Sequence, residues 1–136
     1  MRFDTKIGIV VREDLMAWQK LNVTAFLASS VAGAVPETIG ESYRDGSDNE
    51  YLAMFRQPVL VYAADGQALG LARERALARE LSTALYTEEL FKTDNDADNR
   101  AAVRAAEADR LNLVGLAVYG PRNAVDKVLK GLALHS

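Results

Sequence analysis

The chain contains no cysteine, a single histidine next to its last residue, and three prolines among 136 residues. Without cysteine there is no disulfide, no thiolate metal site and no thiol nucleophile. The absence also fits a reducing cytoplasm, which is the location we expect. With His135 as the sole imidazole, at a position prone to fraying, nucleophile–base triads and histidine zinc sites lack their parts. Catalysis would have to run on carboxylates, lysine, tyrosine or amides, and we expect no metal and no cofactor. Also missing is any stretch near the ~18 apolar residues that would span a bilayer. The residues before Lys6 lack the charged-then-apolar profile of a secretory signal, so no membrane association is expected. The formal net charge of −3 gives no general pull toward nucleic acid, tRNA included.

What is present is enough for one core. Hydrophobic residues make up 49% of the chain and charged residues 26%, the balance of an ordinary globular domain. No repeat or linker divides residues 1–136, which we read as a single α/β domain. Lys6 to Val11 is an Ile/Val run without polar alternation, the pattern of a strand covered on both faces. It stops at an Arg-x-Asp corner, Arg12-Glu13-Asp14. A helix follows from Trp18 toward Gly33 and Pro36, apolar on nearly every side and therefore expected to be largely buried. Residues 44–50 read as a mobile loop or a hairpin tip. Pro58 to Ala63 is a second strand, and Asp65 is placed to cap the helix after it. Thr83 to Thr87 reads as a third strand, Asn99 to Ala108 as a helix, and Leu113 to Val118 as the last strand. Pro121 should open the final helix at its first position.

Open α/β sheets keep their ligand sites beyond the carboxyl ends of the strands, so the Arg12–Asp14 corner is the first place to look. Arg12 could hold an anion and Asp14 could orient a polar group or cap the helix start. Asn22 and Thr24 could reach a substrate from the helix. The junction Tyr119-Gly120-Pro121-Arg122-Asn123 offers a helix N-terminus, which favours anions. If both junctions share one sheet edge, Arg12, Asp14, Tyr119 and Arg122 converge on one crevice. Asp94, Asp96 and Asp98 mimic the start of a calcium loop, but Asn99 stands at the glycine position and Ala105 at the closing bidentate one. We read them as complements to a helix dipole.

Two segments carry a resemblance. One is Lys6 to Leu15. The other is Val114 to Pro121, with Val125-Asp126-Lys127-Val128 and Leu132-Ala133-Leu134 behind it. They resemble the peptidyl-tRNA hydrolase type II fold. Residues 116–121 and the helix from Trp18 to Leu27 are closer still to an uncharacterised bacterial family, a domain of unknown function grouped with that fold. The resemblance implies three α/β/α layers around a mixed four-stranded sheet in the order 2-1-4-3. Of the hydrolase pattern, Arg12, Asp14 and Leu15 carry over. Its helix lysine falls on Leu21 or Asn22, its glutamine on Ala25 or Phe26, and its histidine on Ala28 or Ser29.

The leading expectation is a protein that binds a small anionic or polar ligand at the strand-end crevice. Arg12 and Arg122 would hold the anion, with Asn22, Thr24 and Tyr119 lining the pocket. Two alternatives stay open. One is a peptidyl-tRNA hydrolase-like enzyme with a rearranged site built on Asp14 and Lys20; the other is a non-catalytic module working through a homodimer face.

Overall fold

The computed structural model describes residues 2–136. At its centre runs β1 (Thr5–Arg12), whose five middle residues are all buried because helices cover both faces of the sheet. The chain then turns into α1 (Ala17–Ala34). Its first turn is closed by Gln19, whose Oε1 accepts the Met16 N–H at 2.9 Å; Asp14 takes no part in the cap. After a 3-10 turn at Pro36–Thr38 the chain forms a small hairpin of β2 (Tyr43–Arg44) and β3 (Glu50–Tyr51). It returns through β4 (Val59–Ala64) to α2 (Gly66–Ala78), where Asp65 accepts the Ala68 N–H at 2.8 Å as expected of an N-cap. Next come β5 (Ser82–Thr87), a 3-10 turn at Glu88–Lys92, α3 (Asp96–Arg104), β6 (Leu113–Pro121), α4 (Arg122–Val128) and the short β7 (Ala133–Leu134).

The main sheet runs β5-β6-β1-β4-β7. Its four longer strands, numbered among themselves, take the expected order 2-1-4-3, but the sheet has five strands and not four. The addition is β7, which pairs with Tyr62 and Ala63 at the outer edge of β4. Two residues carry too little periodicity to be read as a strand beforehand. β1 and β4 pair in parallel, whereas β6 runs antiparallel to both β1 and β5.

Two apolar layers hold this sheet. On one face Val23, Leu27 and Val31 of α1 pack against Ile7, Ile9, Val11, Val114 and Ala117. On the other, Leu69, Ala72 and Ala76 of α2 and Val125 and Val128 of α4 pack against Val10, Leu116 and Val118.

Three local expectations change. α1 is not largely buried: its inner stripe is, while Trp18, Leu21 and Phe26 stay 54%, 73% and 51% exposed. The stripe of Val23, Leu27 and Val31 meets the sheet, and the residues on the other faces stay at least partly in solvent. α3 begins at Asp96, earlier than Asn99, because the Asn95 side chain accepts the Asp98 N–H at 2.8 Å and starts the helix there. Pro121 is the N-cap of α4 and the last residue of β6, one step before the first helical position.

Residues 44–50 form the hairpin tip, organised by one carboxylate. Asp45 accepts the backbone N–H groups of Ser47 (2.8 Å) and Asn49 (3.0 Å), the Asn49 amide (3.1 Å) and the Tyr51 hydroxyl (2.8 Å). The Tyr51 bond, with those from Asn49 and Ser47, pulls its pKa from 3.8 to about 2. A depressed carboxylate pKa stabilises the folded tip above the unfolded value, and that contribution disappears as pH falls through the folded one. The Ser47 and Asn49 amide resonances should therefore titrate with a midpoint near 2, and hairpin order should be lost below it. A midpoint at the unperturbed 3.8 would show that the carboxylate is not engaged.

Candidate functional site

Arg12 is the last residue of β1, and its side chain is only 17% exposed. Nε donates to Asp14 Oδ1 at 2.6 Å, and Nη1 to Asn112 Oδ1 and the Leu113 carbonyl, both at 3.3 Å. Nη2 lies 3.6 Å from Glu88 Oε2, which also accepts from Asn112 Nδ2 at 2.8 Å. The planar fork of the guanidinium thus ties together the end of β1, the start of β6 and the turn after β5. Every nitrogen of the group has a partner within the chain. The arrangement is a brace, and what it braces is the Glu88–Lys92 turn.

That turn forms one side of a crevice of about 330 Å³, closed on the other side by the first half of α1. Aromatic rings line it. Trp18 and Phe91 meet edge-on at 5.7 Å between centroids, Tyr86 and Phe91 lie at 5.3 Å, and Phe26 and Tyr86 at 5.7 Å. Asn22 Nδ2 donates to Tyr86 Oη at 3.4 Å. Burial pushes the Tyr86 pKa up, and the Asn22 hydrogen bond opposes this only in part, so the phenol keeps its proton and remains a donor. The Thr93 hydroxyl donates to the Leu90 carbonyl at 3.0 Å and also contacts Asn99 Oδ1. Among the described residues, Asn22 Oδ1 and Asn99 Nδ2 have no protein partner. The crevice therefore offers one amide acceptor, one amide donor and one phenol against an aromatic wall. Asp94 and Asp96 stand among its lining residues, and no lysine or arginine does.

Asn22 is thus a lining residue, with Arg12 and Asp14 at the same end of the sheet. Thr24 is not turned to this use, since its hydroxyl donates to the Lys20 carbonyl at 2.7 Å. Lys20 makes no ion pair among the described residues, and the Asp14 carboxylate is engaged by Arg12. Tyr119 and Arg122 are elsewhere. Because β6 runs antiparallel to β1, Tyr119 pairs with Ile7, and Arg122 Nε donates to the Phe3 carbonyl at 3.0 Å. Along β1 Ile7 stands five residues from Arg12 and Asp4, whose carbonyl accepts the Arg122 N–H, stands eight, which puts Tyr119 roughly 16 Å and Arg122 roughly 26 Å away. The two junctions lie at opposite ends of the sheet, so the single crevice uniting Arg12, Asp14, Tyr119 and Arg122 does not form.

The three aspartates before and within α3 serve its first turn. Asp96 pairs with Arg100, and Asn95 Nδ2 donates to Asp94 at 3.0 Å and to Asp98 at 2.9 Å. Among the described residues no three of His, Cys, Asp and Glu are grouped to hold a metal ion. No described helix is long and apolar enough to cross a membrane.

Tyr86, Phe91, Thr93 and Asn99 were not singled out by the sequence, although a signal for Tyr86 existed. In the order 2-1-4-3 with β6 reversed, β5 runs in the same direction as β1. The end of β5 must then lie beside the end of β1. Phe91, Thr93 and Asn99 sit in a segment without periodicity, where only the folded chain shows which side chains face inward.

No curated protein matches the chain. A solved structure of a protein of unknown function from Agrobacterium tumefaciens strain C58 is similar along its full length. It has 46% sequence identity and a TM-score of 0.96, and the match covers 99% of this chain and 100% of that one. Residues 5–136 match the family described as "Protein of unknown function (DUF2000)", and the chain belongs to that family.

Proposed function

We infer that this chain is a binding protein for a small polar ligand, neutral or positively charged, held in the crevice between α1 and the 86–99 segment. The observation that carries this reading is the lining itself: aromatic rings, two amides each with one free polar atom, and the Asp94 carboxylate, which has no ion pair among the described residues, with no cationic side chain beside them. Its volume of about 330 Å³ lies at the small end of ligand sites. A flat or apolar body would stack on Trp18 and Phe91, while Asn22, Asn99 and the Tyr86 hydroxyl would fix its polar edge. An anionic ligand is disfavoured, because the Arg12 charge is matched by Asp14 and Glu88 and its nitrogens are all engaged within the chain. Arg12 acts in this reading through the Glu88 turn.

Thermal-shift screening with three probe sets tests it: phosphate and small carboxylates, neutral heterocyclic amides, and aromatic amines. The second or third set should raise the unfolding midpoint, and Asn22→Ala should weaken the best binder by about tenfold through loss of its amide contact. Stabilisation by the anions alone, abolished by Arg12→Gln, would overturn the assignment.

We also read the fold as that of the type II peptidyl-tRNA hydrolases; the order and directions of the four longer strands support this. The activity is not carried with it, since a fold does not fix a chemistry. The Asp14 carboxylate is bonded to Arg12 and apolar residues stand where the family has its polar helix residues. Folded protein incubated with a peptidyl-tRNA should release no peptide above the uncatalysed rate. Release that depends on Lys20 and Asp14 would restore the hydrolase reading.

A further inference from the structure

β5 stands at the edge of the sheet, paired with β6 on one side and, among the described residues, with no strand on the other. Among the described residues, no turn, loop or helix backbone bonds to the peptide groups of Ser82 through Tyr86. Proteins ordinarily blunt such an edge by covering it or by placing proline or charge along it. Here the sequence is Ser-Thr-Ala-Leu-Tyr-Thr, uncharged and without proline. The strand borders an apolar groove of about 640 Å³, walled by Phe26 and Leu27 of α1 and by Val103 and Arg104 of α3. α3 has no buried residue, so it stands away from the strand as the far wall of the groove and does not seal it.

An unpaired strand edge facing a helix across an apolar trough is the geometry that accepts an extended chain. Main-chain groups complete the ladder, and alternate side chains drop into the trough. At about 3.3 Å per residue, the six residues of β5 present roughly 20 Å of edge. Charge narrows the occupant. On the α3 side Arg100 is paired with Asp96, whereas Arg104 forms no ion pair among the described residues. The unmatched charge on that lip is therefore positive, and an acidic side chain complements it.

We propose that the free edge of β5 binds an extended segment of a partner protein, apolar at alternate positions and bearing Asp or Glu opposite Arg104. The groove shares Phe26, Tyr86 and Asn99 with the ligand crevice, but its occupant is set by the β5 backbone, so the two assignments stand separately.

A displayed library of random linear peptides, selected against the whole chain, supplies the probe. Selection should enrich segments with apolar residues at every second position and an acidic residue nearby. A synthetic copy of an enriched peptide should slow amide exchange at alternate residues of Ser82–Tyr86. Arg104→Gln, which removes the charge at an exposed position without placing an anion at the end of α3, should weaken it by about tenfold. N-methylation of alternate peptide residues should abolish binding in one register and spare it in the other. Arg104 does not line the small-ligand crevice, so its substitution should leave small-ligand affinity unchanged, which keeps this result distinct from the small-ligand reading. The proposal is overturned if no sequence is enriched, or if the peptides tolerate N-methylation at every position. It is equally overturned if β5 protection in the peptide-free chain rises with protein concentration alongside a dimer mass, since a second copy then occupies the edge.

Discussion

Gly115→Ala is expected to lower the thermal midpoint by roughly 4–12 °C, from an overpacking cost of about 1–3 kcal/mol. Gly115 lies in β6 directly beneath α1. A Cβ built there would sit 2.5 Å from Val23 Cγ1 and 2.8 Å from Leu27 Cδ1, both well inside van der Waals contact. Val23 and Leu27 are 0% and 2% exposed, so neither has free space to move into. The helix must lift instead. Since α1 also carries Trp18 and Asn22, lifting it should open the Asn22–Tyr86 contact and weaken ligand binding along with stability. Gly33→Ala is the matched control. That position lies within α1, and nothing comes within 4 Å of the added methyl. It should stabilise by about 0.5–1 kcal/mol, because alanine restricts the unfolded chain and suits a helix better than glycine. A neutral Gly115→Ala in denaturant titration would mean that α1 does not seat on β6 at this distance.

Arg12→Ala should destabilise the domain by about 1–2 kcal/mol. The figure is reduced from that of a fully buried network because the carboxylates it leaves unpaired are half to two-thirds exposed. Asp14 and Glu88 side chains are 67% and 48% exposed, whereas Arg12 itself is 17% exposed. Loss of the guanidinium frees the Glu88–Lys92 turn, so amide exchange should accelerate there and affinity at the crevice should fall with it. Lysine should not rescue the variant, since a single ammonium cannot reach Asp14, Glu88, Asn112 and the Leu113 carbonyl together. A double-mutant cycle with Glu88→Gln should be clearly non-additive. Unchanged stability together with lost anion binding would instead make Arg12 a ligand-holding residue.

The strand-end corner was legible because an Ile/Val run broken by Arg-x-Asp is a local signal. So was the α2 cap, where Asp65-Gly66 ends one strand and starts a helix in adjacent residues. The order of the four longer strands came from the resemblance. Its consequence, that reversing β6 sends Tyr119 and Arg122 to the far end, needed the direction of each strand to be followed through. The exposed face of α1 was hidden for another reason. Hydropathy counts apolar residues on a helix, but it does not say how many of its faces will find a partner.

The sequence by itself determined a cysteine-free α/β chain, its principal strands and helices, and the corner at Arg12, because each depends on residues close together along the chain. The tertiary structure alone decided that Arg12 is a brace. It also decided that Asn22, Tyr86, Phe91 and Asn99 form one crevice and that β5 keeps an open edge. These features join residues separated by a whole strand or helix, and their meeting depends on strand direction and layer packing, which no local pattern encodes.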